Sequence, residues 1–142
     1  MKSTWYNTSI LLLLLSVALF ACKDKGKNTV VTPPAIGGKG GLATMRVVVQ
    51  HNGVNVDSGK VYIKYNTLTP PANNRFDDSC AIFMVEGTPM AIFTELTQGD
   101  YFIYGHGWDI IGSATVAGTR PYTITAPNKN GINLLYLQTN KQ

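Results

Sequence analysis

Phe93-Thr94-Glu95-Leu96-Thr97-Gln98-Gly99-Asp100-Tyr101 is the stretch that decides the fold. It has the form Phe-x-x-Leu-x-x-Gly-x-Tyr. Leu96 is placed to end one strand inside a core, Gly99 to allow a tight reversal, and Tyr101 to start the next strand with its ring inward. The phenol hydroxyl then reaches backbone upstream, as in the tyrosine corner of a Greek-key sandwich. These roles are structural and imply no chemistry.

Outward from that block, the chain from Thr44 on alternates short β-branched and aromatic runs with turn signals, the pattern of an all-β domain. A first strand is expected over 44–50 and another over 60–66, with Val61, Ile63 and Tyr65 on one face and Tyr62 and Lys64 on the other. The runs 80–85 and 90–96 flank Glu86-Gly87-Thr88-Pro89 and read as a hairpin, and 132–139 reads as the last strand. Thr67 to Ser79, with Pro70-Pro71 and Asn73-Asn74, reads as a surface loop, and Gly105 to Gly112 as an irregular loop between strands. No amphipathic helix is visible. The expected fold is a single Greek-key β-sandwich of about seven strands.

Gly59-Lys60-Val61-Tyr62-Ile63 and the block from Phe93 to Tyr104 together resemble the transthyretin-like (prealbumin-like) sandwiches. That superfamily includes carboxypeptidase regulatory-like domains and collagen-adhesin B-type repeats. The likeness extends loosely over 44–139. It implies an Ig-like sandwich acting as a binding, adhesive or spacer module, without catalysis of its own. Some adhesin repeats carry a Lys-Asn cross-link between first and last strands. The first expected strand here offers Arg46 and no lysine, so that link is not expected.

The amino end has its own organisation. Met1-Lys2 gives a cationic start, Ile10 to Ala21 an apolar stretch, and Ala21 a small residue before Cys22, which is signal-peptide anatomy. As a helix the apolar stretch would rise only about 18 Å, short of the about 30 Å of a bilayer core. Leu19-Phe20-Ala21-Cys22 resembles the lipobox of bacterial lipoproteins, with Phe20 where a smaller residue is usual. The resemblance implies lipidation of Cys22 and a stable membrane anchor of two or more acyl chains. Lys23 stands where the inner-membrane retention residue Asp would be, which implies the outer membrane. Residues 23–41, with lysines, glycines and Pro33-Pro34, read as a flexible tether. The expected division is a lipoprotein signal peptide over 1–21, a lipidated tether over 22–41 and a sandwich over 42–142.

The net charge of +4 invites a nucleic-acid reading. From Leu42 onward, however, seven cations meet seven anions, and the excess lies in the leader and tether. A basic face for phosphate is therefore not expected. With Cys22 lipidated, Cys80 has no intrachain partner and reads as a small hydrophobe in the run 80–85.

With Tyr101 and Ile103 inward, period two sends Phe102, Tyr104 and His106 outward, and Trp108 follows. Together with Tyr62 these form the candidate ligand-binding surface, an aromatic platform for a glycan or an envelope protein. The alternative is that a facing strand or loop covers the rings. His106 with Asp109 lacks a third ligand at metal spacing. Asp77-Asp78 reads as a solvated loop pair rather than a calcium site, and His51 as a solvated turn residue. Two histidines, with no nucleophile elbow and no zincin pattern, assemble no catalytic set. The expected function is that of a non-catalytic, membrane-anchored envelope lipoprotein serving binding, adhesion or assembly, with a carbohydrate-binding module as the alternative. No catalytic residue, metal, cofactor or nucleic-acid partner is expected.

Overall fold

The computed structural model describes residues 35–142. Cys22, the leader and most of the tether lie outside the described residues. The strands are β1 (Lys39–His51), β2 (Val54–Asn55), β3 (Ser58–Tyr65), β4 (Asp78–Ala81), β5 (Phe83–Val85), β6 (Thr88–Leu96), β7 (Gly99–Asp109), β8 (Ala114–Ile124), β9 (Ile132–Gln138) and β10 (Asn140–Lys141). Among the described residues the only helical pieces are short 3-10 turns at Ala72–Asn74 and Ala126–Asn128.

Two five-stranded sheets result. In the first, β1 pairs antiparallel with β6 and parallel with β9, while β2 and β5 extend it through short pairings with β1 and β6. The second runs in the order β10-β8-β7-β3-β4, all antiparallel. Alternation along each strand sends one set of side chains into a shared core. Met45, Val47 and Val49 of β1, Phe93 of β6, and Leu135 and Leu137 of β9 meet Val61 and Ile63 of β3, Tyr101 and Ile103 of β7, and Val116 and Ile124 of β8 in one apolar cluster. Each such side chain contributes roughly 1.5–3 kcal/mol by leaving water. Both sheets therefore depend on facing each other, as in a β-sandwich.

The Phe93–Tyr101 block behaves as its residues dictate. Leu96 ends β6 fully buried, and Gly99 starts β7 at φ 144°, a conformation that favours glycine. Tyr101 is fully buried, and its hydroxyl donates to the Thr97 carbonyl at 2.7 Å and accepts the Gly38 N–H at 2.9 Å.

That last bond corrects the tether boundary. Lys39 to Gly41, read as linker, belong to β1, and Thr97 N–H donates to the Gly38 carbonyl at 2.9 Å. Lys39 and Ala43 both lie opposite Leu96, so the chain bulges between them. A Cβ at Gly41 would sit 2.0 Å from the Leu96 carbonyl oxygen. Glycine is there for close approach of two strands, which in sequence is indistinguishable from a flexible spacer.

Three further expectations are corrected. The apolar run 80–85 is two strands in different sheets: Ile82 turns inward between them, and its N–H is held by the Gly59 carbonyl at 3.0 Å. The stretch 105–109, read as loop, continues β7. A Cβ at Gly107 would lie 2.3 Å from the Ser58 carbonyl oxygen and 2.6 Å from Val56 Cγ1, so these glycines serve packing rather than turning. The first strand also does contain a lysine, Lys39. Its ammonium is bound to Asp78 at 3.1 Å and to the Thr94 carbonyl at 2.9 Å, whereas Asn133 of β9 bonds to Tyr122 at 2.8 Å. Neither side chain is directed at the other as a cross-link would need.

Candidate functional site

The outward face of the second sheet carries the aromatic residues. Tyr62 lies opposite Tyr104, and Lys60 opposite His106, in the β3–β7 register, and β8 places Thr119 beside Tyr104. Cross-strand neighbours on one face stand close enough for rings to touch. Tyr62 and Tyr104 are 6.0 Å apart between centroids, Tyr62 and His106 5.8 Å, and Tyr104 and His106 6.0 Å. All three rings are half-buried.

A fourth ring, Phe76, carries no period in the sequence that would assign it to this face. It comes from the loop between β3 and β4, and a set of local bonds explains how it arrives there. Asn73 and Asn74 adopt left-handed backbone at φ 58° and 54°, which asparagine tolerates, and turn the loop back. Asp77 then fastens the loop to β3: its carboxylate accepts from Tyr65 N–H and from Lys64 Nζ, both at 2.7 Å, and its own N–H donates to the Ile63 carbonyl at 3.0 Å. Phe76 is thereby laid against Tyr62 at 5.4 Å and Tyr104 at 5.9 Å, nearly parallel to the latter at 20°.

The rings wall a cleft of about 590 Å³ that Pro70, Pro71 and Phe102 complete. Asn74, His106 and Thr119 are its polar groups, and no carboxylate lines it. Of the residues expected on the platform, Tyr62, Phe102, Tyr104 and His106 come together here. Phe102 points outward but is only 4% exposed, so it serves as a wall more than a surface. Trp108 does not join them. It is exposed at the far end of β7, in a separate depression with Val54, Ile110 and Ile111.

Charges around the cleft are ordered. Burial alone would raise the carboxyl of Asp77, but the hydrogen bonds from Lys64 and the Tyr65 N–H outweigh it and hold the group below its ordinary value. Asp78 behaves alike: burial is outweighed by Lys39, the Ser79 N–H and the Tyr65 hydroxyl. The Tyr65 phenol is pushed above its ordinary value, first by burial and then by Asp78. The pair is thus engaged in ion pairs rather than free in a solvated loop. Lys60 Nζ stands 5.4 Å from the Tyr62 ring, a cation–π distance.

His51 and Asp109 form a second polar pair, at 2.6 Å, where the β1–β2 and β7–β8 turns meet. The expectation of a solvated His51 is corrected here, since its side chain is only 13% exposed. Asp109 faces inward while His106 faces outward, so alternation separates the two residues considered as metal ligands. Among the described residues no three metal-ligating side chains gather. Cys80, on β4, is partly buried against the core, in keeping with a small hydrophobe.

No family model matches the chain, and neither a curated protein nor a solved structure matches it.

Proposed function

We propose that this chain is a membrane-anchored lipoprotein of the cell envelope whose sandwich is a non-catalytic binding module, with saccharides as the ligands of its aromatic cleft. The observation that carries the reading is the convergence of Tyr62, Phe76, Tyr104 and His106 on one concave surface. Half-buried rings beside amide and hydroxyl groups suit a sugar: its axial C–H face lies on the rings while its hydroxyls reach Asn74 and Thr119. The anchor rests on the lipobox-like Leu19 to Cys22, and outer-membrane sorting on Lys23. The finer topology proposed is Greek-key and transthyretin-like, supported by the tyrosine corner at Tyr101 and Thr97.

Titration of the full-length chain with soluble oligosaccharides tests the reading. Saturable heat that disappears in Tyr104→Ala supports it, and no heat with any saccharide from the folded chain refutes it.

A further inference from the structure

The aromatic cleft has a neighbour on the same face. Beyond Phe76 lies a second, more polar depression of about 680 Å³ that shares Tyr62, Asn74 and Phe76 with the first. Lys64, Arg75, Asp77, Asp78 and Ser79 complete its lining. Three cations and two carboxylates thus stand along this surface when Lys60, beside Tyr62, is included.

The charges are not equivalent. Asp77 is closed by Lys64 and Asp78 by Lys39, and each carboxylate also accepts a backbone N–H. Their oxygens are therefore engaged and Lys64 is neutralised. Arg75, exposed on the loop directly before Phe76, makes no ion pair and no side-chain hydrogen bond among the described residues; Lys60 likewise makes no ion pair. The charge this surface leaves uncompensated is positive: Lys60 over the Tyr62 ring, and Arg75 in the lining of the second depression, next to Phe76 in the chain.

Resting on the saccharide reading above, we infer that the ligand is an acidic oligosaccharide of more than one sugar unit. One ring stacks on Tyr62 and Tyr104, and a carboxylate of a neighbouring unit pairs with Arg75, whose planar guanidinium suits two parallel bonds to a carboxylate. Lys60 adds long-range attraction at the aromatic end. A neutral glycan leaves both cations unanswered, and a cationic ligand meets them as like charges.

Calorimetric titration of the full-length chain in detergent decides this, with oligogalacturonates and alginate oligomers as acidic probes and cello- and xylo-oligosaccharides as neutral ones. The acidic probes are expected to bind more tightly, and more weakly as salt rises. Arg75→Gln should weaken acidic binding about ten-fold, the size of one charge-assisted contact, without moving the thermal midpoint, because Arg75 is exposed. Equal binding of neutral and acidic probes, insensitive to salt and to Arg75→Gln, overturns the charge inference and leaves the saccharide reading standing. Binding of neither class overturns both, as does binding of proline-rich peptides instead, since aromatic grooves also accept those.

Discussion

The Tyr101 hydroxyl donates to the Thr97 carbonyl at 2.7 Å, and the same oxygen accepts the Gly38 N–H at 2.9 Å. One buried phenol therefore ties the end of β6 to the segment entering β1. Tyr101→Phe keeps the ring packing and strips both partners. The expected loss is about 1–3 kcal/mol, seen as a lower urea midpoint at unchanged slope. An unchanged midpoint would show that the bonds at this corner contribute nothing net.

Gly107 is fixed by contact rather than by backbone freedom. An added Cβ meets the Ser58 carbonyl oxygen at 2.3 Å and Val56 Cγ1 at 2.6 Å, and the first of these is backbone that cannot rotate away. Gly107→Ala should destabilise by roughly 1–3 kcal/mol, the usual scale of overpacking. Gly38→Ala, where no atom lies within 4 Å of the added Cβ and the backbone is not left-handed, is the milder comparison. Equal effects in thermal unfolding would refute the packing role of Gly107.

Acid should unfold the protein through its paired carboxylates. The Asp109 carboxyl is held low first by the His51 hydrogen bond and then by the Gly112 N–H, against burial. Asp77 and Asp78 are also held low, with burial outweighed by their lysines and backbone donors. Since each folded value lies below the unfolded value of about 4, the stability these groups contribute is fully present above that pH. It is lost as pH falls through the lower folded values. The thermal midpoint should be flat from about pH 7 to 5 and drop below about 4, with a shallower drop in Asp109→Asn. An acid slope identical in Asp109→Asn would remove Asp109 from this role.

The fold was readable where period two and turn chemistry agree. The corner at Leu96, Gly99 and Tyr101 follows from alternation together with the glycine reversal, and the outward set Tyr62, Tyr104 and His106 and the core positions Val61 and Ile63 follow from alternation alone. What failed were the glycines. Gly41 and Gly107 carry the same letter as a turn residue, yet each marks the close passage of another backbone, which only the tertiary structure reveals. Phe76 was hidden because it sits in an irregular loop, where no period assigns a face; its position depends on Asp77 bonding back to β3. Alternation places Trp108 on the outward face but not its neighbours, since it says nothing of how far along a strand a cleft extends.

The anchor is tested by Cys22→Ser. The substitution removes the thiol that a lipid would occupy, and the protein should move from the membrane fraction to the soluble one. Full retention in membranes by the variant would eliminate the lipid anchor.

The cleft is tested most directly by parallel calorimetric titrations of the wild type, Tyr104→Ala and Trp108→Ala with one panel of acidic and neutral oligosaccharides. Tyr104 lies between Tyr62, Phe76 and His106, whereas Trp108 lies in another depression. Binding weakened about ten-fold or more in Tyr104→Ala and unchanged in Trp108→Ala is the predicted result. Loss in Trp108→Ala with full binding in Tyr104→Ala, or no saccharide binding by the folded wild type, would contradict it.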